Sequence, residues 1–123
     1  MEITELVNKS HQIAKDKGFW DAGERNVGEL LMLIVSELGE ALEAHRHDRK
    51  FSMFEIEVML KKKDRDFKSA FELLNKDTFE DEIADVFIRL GDLCGGLGID
   101  IEKHILAKMK YNETREKLHG KKY

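Results

Sequence analysis

No proline occurs anywhere in the 123 residues of this chain. Proline blocks the preceding helical turn and removes a backbone donor, so its absence leaves long stretches free to be helical. Glycine, the other common breaker, occurs nine times, with a group at Gly95-Gly96 and Gly98. Between these points apolar residues recur at three- and four-residue spacing, the signature of amphipathic helices. The expectation is an all-α fold: a helical bundle of four core helices with an inserted helical segment, completed by oligomerisation because short helices with apolar flanks favour self-association.

The first helix is predicted from about Ile3 to Lys17, with Thr4 near its start and Gly18 placed to end it. Phe19 to Asn26 reads as a loop. The second helix, from about Gly28 to His47, carries the strongest pattern: Leu30, Leu31, Ile34, Leu38, Ala41 and Leu42. Residues 48–77 are more polar and include the run Lys61-Lys62-Lys63-Asp64-Arg65-Asp66. Phe54, Val58, Phe67, Phe71 and Leu74 point to one or two short helices there, within a segment inserted between core helices. Thr78 is an apt N-cap for a helix reaching about Leu97, with Glu80, Asp81 and Glu82 at the positive end of its dipole. The Gly95-Gly96-Leu97-Gly98 stretch is expected to stop it. Asp100 can cap the last helix, from about Ile101 to Leu118, and 119–123 form a flexible tail. The whole is read as one domain, 1–123.

Composition excludes several classes of function. With 21 Lys and Arg against 25 Asp and Glu, the formal net charge is −4, and a nucleic-acid polymer is an unlikely partner because sequence-independent binding needs a basic surface. No apolar run approaches the ~18 residues of a membrane span. The start, Met1-Glu2-Ile3-Thr4-Glu5, lacks the features of a secretory signal, and the single Cys94 cannot form an internal disulfide. A cytoplasmic location is expected.

Against this background the acids stand out. At ~100° per residue, Glu37 falls within the apolar sector of the second helix, between Leu33 and Ala41, and Glu40 falls at its edge. A second pair repeats the arrangement: Glu82 borders the stripe of Phe79, Ile83, Val86, Leu90 and Leu93, with Asp85 a little further out. If the two helices pack antiparallel, the four carboxylates converge. A like-charged pair ~4 Å apart costs ~4 kcal/mol at an effective dielectric near 20, so a cation must offset it. An all-oxygen carboxylate set suits hard cations, Mg²⁺ first and Mn²⁺ as a substitute. The plainer alternative is that these acids face solvent or pair with basic residues, for example Asp85 with Arg89 one turn on. Di-iron chemistry is disfavoured, because Glu116-Lys117-Leu118-His119 is the only Glu-x-x-His motif that fits. The five histidines, at 11, 45, 47, 104 and 119, form no zinc spacing. Base rates favour a surface position for His11.

On the last helix Lys108, Asn112 and Arg115 follow at i, i+4 and i+7 and form one ridge. Arg and Lys suit phosphate oxygens, and a polyphosphate could bridge this ridge and the acids. The competing reading is a cationic helix end complementing its own dipole, with Asn112 bonding between helices. Trp20, the only tryptophan, could stack on a nucleobase or simply pack the first helix, and Tyr111 is ambiguous in the same way.

Three fragments carry a resemblance: Ser36-Glu37-Leu38-Gly39-Glu40-Ala41-Leu42, then Glu82-Ile83-Ala84-Asp85-Val86, then Lys108-x-x-Tyr111-Asn112-x-x-Arg115. In this order they resemble the MazG-like all-α nucleoside triphosphate pyrophosphohydrolase superfamily, which includes dimeric dUTPases and dCTP pyrophosphatases. The likeness runs from about Phe19 to Leu118. Ser36 stands where family members often carry a further Glu, and the interval from Glu40 to Glu82 is longer than in compact members. The resemblance implies a Mg²⁺-dependent enzyme that cleaves a (deoxy)nucleoside triphosphate between the α and β phosphates, giving the monophosphate and pyrophosphate. It implies metal binding by Glu37, Glu40, Glu82 and Asp85, with Glu37 or Glu40 accepting the proton of the attacking water. It assigns substrate contacts to Lys108, Asn112 and Arg115, with Tyr111 beside them and Trp20 as a base-pocket aromatic, in a homodimer or homotetramer. The alternative is a non-catalytic helical module that binds a nucleotide or a partner protein.

Overall fold

The proline-free chain forms six α-helices and no strand. The structure, a computed structural model, describes residues 1–123. The helices are α1 (Ile3–Asp16), α2 (Val27–Arg46), α3 (Met53–Leu60), α4 (Asp64–Ala70), α5 (Phe79–Leu97) and α6 (Ile101–Glu113). A wide π-type turn over Phe71–Asn75 follows α4, and a 3₁₀ turn covers Lys117–Gly120. No helix is long and apolar enough to cross a membrane.

The helix ends follow local chemistry. Gly18 adopts φ 89°, a left-handed conformation that glycine takes without a Cβ penalty, and ends α1. Asn26 starts α2 by accepting the Glu29 N–H on Oδ1 at 3.0 Å; Thr4 makes no such cap for α1, where Glu2 occupies the cap position without a side-chain bond. Thr78 caps α5 as expected: its Oγ1 accepts the Asp81 N–H at 3.3 Å and donates to the Asn75 carbonyl at 2.8 Å. Asp100 Oδ1 accepts the Lys103 N–H at 3.4 Å to start α6.

One expected endpoint holds and one moves. As expected, α5 reaches Leu97 and the glycine stretch stops it, at the left-handed Gly98, φ 67°, after Gly95 and Gly96 have continued the helix. The last helix stops at Glu113 rather than Leu118, because Thr114 turns back on Tyr111, its N–H and hydroxyl both donating to that carbonyl at 3.0 and 2.7 Å. Leu118 and His119 then take positive φ values of 55° and 51°, which no α-helix accommodates.

The chain divides into two compact units. One comprises Met1–Phe19 with Gly91–Tyr123. In it α1 packs against α6 and against the C-terminal turns of α5, with Val7, Ser10, Leu93 and Cys94 buried. Glycine makes room at this crossing: a Cβ on Gly95 would clash at 2.6 Å with the Cβ of His11, and one on Gly91 would be a tight 3.0 Å from Ser10 Oγ. His11 is therefore no surface residue. It is partly buried, and its Nδ1 lies 2.9 Å from Asp92 Oδ1.

The other unit is Trp20–Leu90. Its core contains Leu30, Ile34, Ala41, Ala44, Phe51 and Met59, together with four buried polar residues, Glu37, Asn75, Thr78 and Glu82. The segment between α2 and α5 is tied to the start of α5 by two bonds. The Phe79 N–H donates to the Arg49 carbonyl at 2.7 Å, and the Phe51 N–H donates to Glu80 Oε2 at 2.9 Å.

Helix α2 carries two apolar seams. Leu30, Ile34, Glu37, Ala41 and Ala44 alternate at four- and three-residue spacing and are buried. Leu31, Val35, Leu38 and Leu42 repeat the same spacing one residue later, and each remains about half exposed. The single broad apolar sector read from the sequence is thus two adjacent stripes, and one of them includes a glutamate.

Candidate metal centre

Glu37 occupies a core position of the buried α2 seam and is only 7% exposed. Burying a carboxylate is costly unless charge partners meet it. On α5, Glu82 is 5% exposed. Glu40, one turn beyond Glu37 on α2, is exposed and reaches the same place. One oxygen from each of Glu37, Glu40 and Glu82 lies within 4.8 Å of the other two. Three of the four acids singled out in the sequence therefore converge. The fourth, Asp85, is partly buried one turn along α5 from Glu82 but is not part of this close group.

The crowding has an electrostatic signature. Burial first, then the carboxylates of Glu40 and Glu37, push the Glu82 carboxyl up to about 8 from an ordinary 4.5. Asp85 is pushed up to about 6 by burial and by the charges of Glu37, Asp81 and Glu40, against an opposing pull from Arg89. At neutral pH the cluster therefore keeps a proton that an isolated carboxylate would release. A hard divalent cation would offset the carboxylate repulsion that adds to burial in both shifts. The donor set, made only of carboxylate oxygens on two helices, fits Mg²⁺ or Mn²⁺.

Two features escaped sequence reading. Arg89 does not pair with Asp85; its Nε donates to Glu37 Oε1 at 2.7 Å, across from α5 to α2. A second acidic group, Asp77, Asp81 and Glu82, brings oxygens within 4.8 Å of one another and shares Glu82 with the first. It forms because Asp77 takes a left-handed turn, φ 65°, and donates its N–H to Asp81 Oδ2 at 2.9 Å. The spacing of acids around a capped helix start could have suggested this second group; nothing in the sequence marked the reach of Arg89.

The cationic residues of α6 lie in the unit built from both chain ends. Lys108 Nζ and Arg115 Cζ sit 5.1 and 5.5 Å from the centre of the Tyr111 ring, so the phenol ring meets two cations. Arg115 Nη1 also donates weakly to Asn112 Oδ1 at 3.5 Å. Arg115 lies beyond the end of α6, so the expected ridge is a helix-end cluster instead. A shallow open depression there, lined by Tyr111, Thr114, Arg115, Glu116 and His119, is mostly polar. In the other unit Trp20 is partly buried, with the Arg25 guanidinium 5.5 Å from its ring centre.

No known protein-family model matches the chain, and no curated protein or solved structure matches it either.

Proposed function

We propose that this protein is a Mg²⁺-dependent nucleoside triphosphate pyrophosphohydrolase of the MazG-like, all-α kind. The carrying observation is the group Glu37, Glu40 and Glu82: three carboxylates gathered in a partly buried place, one of them held protonated by the others and by burial. Glu37, Glu40 and Glu82 would hold the metal, with Asp85 beside them. Bound Mg²⁺ would supply charge neutralisation for phosphate oxygens and Lewis acidity. Glu37 or Glu40 would accept the proton of an attacking water. Lys108, Asn112 and Arg115 supply donors suited to phosphate oxygens, and the aromatic faces of Tyr111 and Trp20 suit a base.

Self-association belongs to the same reading. The exposed seam Leu31, Val35, Leu38 and Leu42 has coiled-coil spacing, as expected of an apolar face that a second copy covers.

The test is pyrophosphate release from a panel of canonical and modified (deoxy)nucleoside triphosphates, with Mg²⁺ and with chelator. Metal-dependent release of pyrophosphate and monophosphate is expected, abolished in Glu40→Gln and Asp85→Asn with helix content unchanged. Wild-type rates in both variants would sink the site assignment. A second reading, a non-catalytic nucleotide- or protein-binding module, draws on the pairing of Glu37 with Arg89, which offsets part of the acidic charge without any metal. It expects no release with any nucleotide.

A further inference from the structure

A cation already stands among the acids. Arg89 lies seven residues after Glu82, two turns along α5 and so on nearly the same side of the helix. Its contact with Glu37 is made through Nε alone, at 2.7 Å. The two ends of this pair differ in environment: the Glu37 side chain is 9% exposed and the Arg89 side chain 39%. A single bond is easier to exchange than a two-pronged fork, and an arginine open to water can swing out without disturbing the core. Asp85, one turn before Arg89 on the same helix, makes no direct ion pair with it, although it feels the Arg89 charge. The guanidinium crosses to the more buried acid.

We propose that Arg89 is a displaceable counter-cation of the acidic centre: it holds Glu37 while no metal is present and yields that oxygen when a divalent cation enters. This inference rests on the reading of Glu37, Glu40 and Glu82 as metal ligands, and it describes how their occupancy is regulated. Arg89 opposes the metal in two ways, by occupying a ligand oxygen and by placing a fixed positive charge beside the site. Its departure exposes donors suited to an anionic ligand at the moment the metal arrives, so metal entry and anion recognition are linked. The opposite role is also concrete: an arginine that clamps Glu37 in its ligating orientation strengthens metal binding.

Calorimetric titration of Mn²⁺ and Mg²⁺ into the metal-free wild type, Arg89→Gln and Arg89→Lys separates these roles without any turnover assay. Displacement requires that Arg89→Gln bind Mn²⁺ about five- to tenfold more tightly than wild type, the effect of removing one nearby positive charge. It also requires that Arg89→Gln melt at a lower temperature than wild type in chelator, and that Arg89→Lys, which keeps the charge and loses the guanidinium, fall between the two in affinity. Unchanged or weaker Mn²⁺ binding by Arg89→Gln and Arg89→Lys, with wild type still binding, overturns the displacement role alone. Absence of binding by all three proteins overturns the metal reading itself and this inference with it. The lysine variant keeps the test decisive if the glutamine variant fails to fold.

Discussion

Replacing Glu82 by glutamine should make the metal-free protein more stable, although the residue is buried and central to the proposed site. The native chain holds the Glu82 proton up to about pH 8, whereas an ordinary glutamate releases it near 4.5. Between those values the unfolded chain has lost a proton that the folded chain keeps, so the contribution of Glu82 to stability falls as pH rises through the window. Below 4.5 both states are protonated and the residue resembles glutamine. The interval corresponds to a ceiling of about 5 kcal/mol above pH 8. Coulomb's law gives a consistent scale: two unit charges at 4.8 Å, the limit within which these oxygens lie, repel by about 3.5 kcal/mol at an effective dielectric near 20. Allowing for relaxation and for the solvent that reaches Glu40, about 2–3 kcal/mol is expected, or roughly 10 °C in melting temperature for a chain of this size. Urea unfolding followed by circular dichroism in chelator, at matched protein concentration from pH 4 to 9, measures it. Glu82→Gln should match wild type at pH 4 and exceed it increasingly toward pH 9, while saturating Mg²⁺ should stabilise wild type alone. A variant no more stable than wild type at pH 9 would show that Glu82 is ionised and well compensated without metal, and the electrostatic reasoning would fail.

Other consequences are more local. Gly95→Ala places a Cβ 2.6 Å from that of His11, so the crossing of α1 and α5 must open, at a cost of about 1–3 kcal/mol in chemical denaturation; wild-type stability in the variant would show that no close approach exists. Thr78→Ala removes the α5 cap and a buried hydroxyl bond and should cost about 1–2 kcal/mol, whereas Thr78→Ser should recover most of it. Leu38→Glu, on the exposed α2 seam, should lower the sedimenting mass while leaving helix content intact. A wild-type protein that already sediments as a monomer would remove that basis for self-association.

The fold was legible because its strongest determinants are local. The absence of proline, the periodicity of Leu30 to Leu42 and the caps at Thr78 and Asp100 act within a few residues, and each appears where expected. The acids were legible for a related reason: a glutamate at a core position such as 37 breaks a pattern that the helix otherwise keeps. What was hidden depends on contacts between elements. The glycine stretch reads as the end of α5, which it is, but that Gly95 also makes room for His11 of α1 is set by packing that no local pattern shows. Helical spacing makes Asp85 the natural partner for Arg89, but only the packing of α2 on α5 brings the more buried Glu37 into reach. The last helix was read too long because its polar end carries no glycine before Gly120, and Thr114 ends it through a bond to Tyr111 that no spacing rule marks.

Glu37 sits in the same repeat as Leu30, Ile34, Ala41 and Ala44, and on the proposed metal reading this would tie the lifetime of the protein to its ligand. An apolar residue at 37 would give a sturdier helix pair and no centre, so improved packing and retained chemistry compete for one position. A chain that keeps the acid would then open more often when metal is scarce, and each opening would expose it to proteolysis. A cation that binds only the folded form reduces those openings in proportion to its saturation. Abundance would then follow the supply of metal with no separate sensor.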